Sequence, residues 1–149
     1  MKLNVRTLII SAAVAAVAIS TAYAQSASIA KRQNILKSWG DATKSVAAML
    51  KGEAAYDNAA VQKALAAYSA GSKELVGLFP DDSKAGGDTA ALPGIWTDKA
   101  KFTGIYDKLA ADASAAAAAI KDEASMKANF PKVLGNCKAC HDDYRQKKS

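Results

Sequence analysis

The fold is decided by the stretch SMKANFPKVLGNCKACHDDYR, residues 125–145. Its apolar positions Met126, Phe130, Val133, Cys137, Cys140 and Tyr144 are separated by alternating steps of four and three. That period marks the buried stripe of an α-helix. Inside the stripe stands Cys137-Lys138-Ala139-Cys140-His141. Residues three and four apart share a helix face, so Cys137 aligns with both Cys140 and His141. Two thiols and an imidazole therefore sit together near the end of the chain. Pro131 falls early in this helix and predicts a kink or a later start.

Working outward, three more stripes repeat the same steps. Ile29, Leu36, Trp39, Val46 and Leu50 predict a helix over about 28–51, ended by Gly52, with Ile35 and Met49 beside the stripe. Val61, Leu65, Tyr68, Leu75 and Phe79 predict a second over about 57–79, stopped by Pro80. A long link, Asp81 to Pro93, carries Gly86-Gly87. Ile95, Phe102, Ile105, Leu109, Ala113 and Ile120 predict a third helix over about 95–120. Alanine is abundant and proline rare, a composition that favours helix. No strand-like alternation and no Rossmann glycine pattern interrupts the reading. Four amphipathic helices of this kind form an all-α four-helix bundle.

The chemistry sits in the C-x-x-C-H unit. Two cysteines with this spacing can reach the two vinyl groups on one edge of a porphyrin, while the following histidine stands over the iron; this is the c-type haem attachment pattern. His141 is the only histidine, and it is assigned as the proximal iron ligand. The same residue is thereby removed from any Ser-His-Asp catalysis. A redox C-x-x-C belongs at a helix N-terminus, where the thiol pKa is lowered; this one is near a C-terminus. Zinc requires four ligands, and no second Cys/His pair exists. A plain disulfide between Cys137 and Cys140 stays open at this point.

The N-terminus predicts export. Lys2 and Arg6 precede an apolar run from Leu8 to Ile19, and Ala22-Tyr23-Ala24 supplies small residues where a signal peptidase reads. Residues 1–24 are therefore read as a secretory signal cleaved before Gln25, and residues 25–149 as one helical haem domain. The run is short for a bilayer span, which needs ~20 residues, so no membrane span is expected. The expected location is the bacterial periplasm. Removing Lys2 and Arg6 takes the net charge from +6 down by two, to +4. The lysines are scattered among acids, without the clustered stripe of a nucleic-acid binder, and nucleic acid is set aside as a partner.

The opposite face of the iron is the next question. Beyond the export signal the chain has only Met49 and Met126. Met126 lies fifteen residues before His141 on one helix, about 22 Å along the axis. If the haem meets the first helix near Leu36, Met49 is about 20 Å further along it. Both are read as core. A lysine ligand stays open, but its buried amine needs a depressed pKa. The expected site is a five-coordinate iron capped by Leu36.

On these residues the chain resembles the cytochrome c′ family, the high-spin class II c-type cytochromes. The likeness rests on Arg32-Gln33-x-x-Leu36, Gly86-Gly87-Asp88, Ile95-Trp96 and Cys137-x-x-Cys140-His141-x-x-x-Arg145. Ordinary c-type cytochromes carry C-x-x-C-H near the mature N-terminus. Low-spin relatives on this fold have methionine where this chain has Leu36. The resemblance implies an up-down-up-down, left-handed bundle enclosing one haem c, attached through two thioethers. It implies binding of nitric oxide and carbon monoxide, with no agreed catalytic reaction. It leaves monomer and homodimer both open.

Further roles follow from this likeness. Arg32 interrupts an apolar stripe, and a core-facing arginine needs an anion; a haem propionate would serve, with Gln33 beside it. Asp88 matches a position near the propionates. Arg145 lies one turn beyond His141, where its charge is expected to weaken proximal ligation. Phe79 and Trp96 are read as core or haem-pocket aromatics. Lys138, Lys147 and Lys148 are read as solvated surface, or as a weakly basic rim for an acidic periplasmic redox partner. Two functions remain in view: a non-enzymatic binder of diatomic gases, and a single-electron carrier. Leu36 favours the first, because carriers usually keep six iron ligands.

Overall fold

The computed structural model describes residues 5–86 and 88–147, with side chains from residue 27 onward. The export-signal features at Lys2, Arg6 and Ala22-Tyr23-Ala24 lie outside the described residues or side chains, as do Gly87 and Lys148. Among the described residues there are five α-helices: α1 (Val5–Leu50), α2 (Asn58–Val76), a short α3 (Gly94–Thr97), α4 (Lys99–Ala119) and α5 (Glu123–Tyr144). The four long ones form the expected all-α, up-down-up-down, left-handed four-helix bundle.

The ends of these helices follow from particular residues. At the end of α1, Gly52 adopts φ 76°, a left-handed conformation that glycine enters without steric cost. The Gly52 amide donates to Met49 O at 3.0 Å and the Glu53 amide to Ala48 O at 2.8 Å, the paired bonds of a Schellman stop. Asp57 caps α2 by accepting from the Ala60 amide at 3.1 Å. Asp122 and Ser125 form a reciprocal capping box on α5. The helix then runs through Pro131 without a later start.

Three boundaries differ from the sequence reading. Helix α1 begins at Val5 instead of near Ser28, since nothing in the alanine-rich stretch between breaks a helix. Helix α2 stops at Val76, and Pro80 instead opens a single 3₁₀ turn at Asp81–Ser83. The predicted third helix is split at Asp98. That residue leaves the helical conformation (φ −137°, ψ 70°) and its carboxylate accepts from the Lys101 amide at 3.0 Å. An aspartate at an N-cap satisfies an orphan amide that a continuous helix would not expose.

Helix α4 packs on α2 and α5, and α2 packs on α1. The pair α1 and α5 lacks a comparable packed seam. The core, which includes Val46, Leu65, Tyr68, Leu109, Met126 and Phe130, draws on all four long helices. Met49 and Met126 are both buried in it, as expected. Among the described residues no helix is long and apolar enough to cross a membrane.

Candidate haem site

The open seam between α1 and α5 is where the predicted site residues meet. Two adjoining cavities of about 310 and 660 Å³ lie there. Gln33, Leu36, Tyr106, Cys140, His141 and Arg145 line both. Arg32 and Asp88 line the smaller, and Cys137 the larger. All eight residues singled out from the sequence thus border one slot, of a size usual for ligand and cofactor sites.

Leu36 is the most telling wall residue. It stands in register with the buried positions Arg32, Trp39 and Val46 on α1, yet it is 36% exposed, the one exposed large hydrophobic among the described residues. A leucine on the inner stripe is left uncovered because the helix it would meet, α5, stays apart at this level. Neither Met49 nor Met126 borders either cavity. Lys37 borders the larger one, with its ammonium engaged by Asp41 at 3.0 Å.

Across the slot, Cys137 and Cys140 are free and half-buried. Burial pushes both thiols above the ordinary cysteine range, which keeps them protonated. Burial first, and then the neighbouring Arg145, pulls His141 below its ordinary value. Its neutral imidazole, the form that ligates metals, is therefore favoured. Among the described residues no cluster of His, Cys, Asp and Glu is arranged to hold a metal ion by itself.

Arg32 is 2% exposed. The sequence assigns it to an anion; in the structure neutral oxygens hold it. Its Nη1 donates to Leu78 O at 3.1 Å and Ser83 Oγ at 2.9 Å. Its Nη2 donates to Ser83 O at 3.3 Å and Thr89 Oγ1 at 2.6 Å. The guanidinium carbon also lies 4.5 Å from the Phe79 ring centroid. Burial lowers its pKa, but an arginine keeps its proton in proteins. No carboxylate of the described residues pairs with it. Gln33 donates to the Asp88 carbonyl, so Asp88 reaches the slot wall through its backbone.

The link before α3 closes one edge of the slot. The Leu92 amide donates to Tyr144 O at 3.0 Å and the Gln146 amide to Ala90 O at 2.8 Å, around an antiparallel bridge between Ala91 and Arg145. Residues 88–92 thereby span from Arg32 and Gln33 on α1 to the C-terminal end of α5. Trp96 is partly buried: its indole donates to Phe79 O and Pro80 O at 3.1 and 3.0 Å, and its ring meets Phe79 edge-on.

Sequence reasoning missed Tyr106, which is buried, borders both cavities and lies within 3.8 Å of the Cys140 sulfur. The signal was its position four residues after Phe102 on α4. The neighbouring Ile105 was placed on the stripe instead, and it is only partly buried.

The wall fits a covalently held haem. Two thiols and an imidazole share one face of α5, apolar surface faces them from α1, and at one end stands Arg32, a buried cation with no carboxylate partner among the described residues, where a propionate would fit. Comparison with known proteins agrees. A profile of the family described as Cytochrome C' matches residues 27–145. A cytochrome c′ of Rhodopseudomonas palustris is 59% identical over 149 residues, covering 100% of both chains. A solved cytochrome c′ from Rhodopseudomonas palustris, 66% identical, superposes with a TM-score of 0.80 over 82% of this chain and 98% of that one. A nitric oxide complex of a leucine-to-isoleucine variant of cytochrome c prime from Alcaligenes xylosoxidans is 26% identical, with a TM-score of 0.71 over 83% of this chain and 97% of that one.

Proposed function

The chain belongs to the cytochrome c′ family, c-type cytochromes that hold haem c covalently, and from that premise we propose that it is a periplasmic, non-enzymatic binder of nitric oxide and carbon monoxide. The iron in this reading is five-coordinate and high-spin. The observation that carries it is Leu36: an uncovered hydrocarbon side chain borders the slot on α1, opposite His141 on α5, where a low-spin relative would need a donor atom.

Each wall residue has a task. Cys137 and Cys140 anchor the porphyrin to α5, and His141 ligates through a nitrogen that burial and Arg145 keep free of a proton. Haem iron, once attached, supplies the centre that takes up a diatomic gas or passes one electron. Leu36 admits small uncharged ligands that can displace it and excludes bulky or charged ones, because hydrocarbon offers an ion no compensation for lost water. Arg32 and Gln33 place positive and donor groups beside the smaller cavity, suited to a propionate. Arg145, beside the imidazole, draws electron density from the ring and so weakens its donation to iron.

The nitric oxide complex of the Alcaligenes relative supports gas binding. Export is supported by the N-terminal pattern and by the solved relative, nearly all of which is matched by 82% of this chain. The electron-carrier reading is left with one feature, Arg145 at the slot, because Lys37 there is paired with Asp41 and Lys138 on the predicted rim with Asp142. An absorption spectrum of the ferrous protein before and after carbon monoxide separates the two. A high-spin Soret band that moves with the gas is expected. A sharp low-spin spectrum indifferent to it would reject gas binding in favour of electron carriage.

A further inference from the structure

We propose that, in the haem-loaded protein, Tyr106 donates its phenolic hydrogen to the sulfur of Cys140 and so positions the thioether formed there. The inference rests on haem attachment at Cys140, and not on which ligand the iron takes up.

Tyr106 is 5% exposed and borders both cavities. Its ring is held edge-on against Phe102, with centroids 5.1 Å apart and planes at 71°. Its one hydrogen bond among the described residues is with Cys140 Sγ, at 3.8 Å. With a free thiol, the S–H donates and the phenolic oxygen accepts. Thioether formation reverses that polarity. A bond forms between Cys140 sulfur and the vinyl carbon next to the porphyrin ring, the vinyl π bond breaks, and the thiol hydrogen goes to the terminal vinyl carbon. No electrons are gained or lost overall. The sulfur then keeps lone pairs and has no hydrogen left to give.

The phenol holds the remaining hydrogen of the pair. Burial pushes its pKa far above the ordinary tyrosine range, so the hydrogen stays on oxygen. A buried hydroxyl without an acceptor is costly, and the sulfur is the hydrogen-bond partner this one has among the described residues. The edge-on contact with Phe102 holds the ring, and with it the hydroxyl, beside the sulfur. The hydrogen bond restrains the C–S torsion at Cys140 and draws electron density from the thioether, which favours the reduced iron.

The test uses full-length protein matured with its haem. Resonance Raman spectra of the C–S stretching region are compared in H₂O and D₂O, for the unsubstituted protein and Tyr106→Phe, together with the reduction potential of each. The phenylalanine fills the same space, so a purely packing role for Tyr106 leaves both readouts unmoved. We expect a deuterium-sensitive C–S band in the unsubstituted protein, its loss in Tyr106→Phe, and a lower potential in the variant. A C–S band insensitive to deuterium in the unsubstituted protein overturns the proposal, as does a variant identical to it in both readouts. If Tyr106→Phe does not accumulate, the deuterium comparison on the unsubstituted protein decides alone. Carbon monoxide added to the same samples reports separately on gas binding: a missing response there, with the C–S effect intact, counts against that function and not against Tyr106.

Discussion

Replacing Gly71 with alanine should destabilise the loaded protein, although helix propensity alone says the reverse. Gly71 lies inside α2, where glycine costs about 1 kcal/mol relative to alanine. A Cβ built there meets Trp39 Cζ2 at 2.8 Å, and Cε2 and Nε1 at 3.4 Å. The indole has little freedom to yield. Trp39 is 7% exposed and meets Tyr68 edge-on at 5.5 Å between centroids. Its one free direction is the larger cavity, which it borders and which the porphyrin needs. Overpacking a site of this kind costs ~1–3 kcal/mol, which outweighs the propensity gain and leaves a net loss of about 1 kcal/mol. In a domain of this size that lowers Tm by roughly 4 °C. The assay is guanidinium and thermal unfolding of the loaded protein, followed in the far ultraviolet and at the Soret band. Gly104→Ala on α4 is the control, since nothing lies within 4 Å of its added Cβ; it should stabilise by about 0.5–1 kcal/mol. If Gly71→Ala stabilises as much as the control, the close approach of Trp39 to α2 is refuted.

Three other outcomes follow from the same contacts. Leu36→Met should place a thioether in the slot opposite His141, giving a low-spin spectrum insensitive to carbon monoxide, while Leu36→Ala should keep the high-spin spectrum and speed gas uptake in stopped-flow traces. Arg32→Met removes four hydrogen bonds and strands the acceptors of Ser83, a residue with 0% exposure; a loss of ~2–4 kcal/mol is expected in denaturant melts, with faster proteolysis in the link before α3. Asp112 accepts from Lys108 at 2.5 Å and from Asn136 at 2.7 Å, which hold its carboxyl below the ordinary range. Its contribution is present above the unfolded carboxylate pKa and is lost as pH falls through the lower folded value. Asp112→Asn should therefore cost up to about 1 kcal/mol at neutral pH, and the gap between the two proteins should close in melts taken in acid.

What the sequence made legible was whatever repeats with the helical period or depends on near neighbours. The stripes located four long helices, and Cys137, Cys140 and His141 could be placed on one face from their spacing alone. Leu36 was legible as an inner-stripe residue, but its exposure was not, because that depends on α5 standing away from α1. The break at Asp98 is masked because the apolar positions on either side stay in register. Tyr106 was hidden behind Ile105, one position away and equally apolar in pattern. The bridge between Ala91 and Arg145 left no trace in the sequence, since it is made by backbone groups far apart in the chain. The same holds for Arg32: its stripe position called for a partner, but three neutral residues of the 78–89 stretch supply it through folding that no local pattern encodes.

The account stands most directly on the covalent bond between porphyrin and the last helix, which intact mass under denaturing conditions measures. The mature protein should be coloured, should carry the added mass of one iron porphyrin, and should offer no free thiol to an alkylating reagent. A colourless chain of unmodified mass, with Cys137 and Cys140 free or joined to each other, would contradict it.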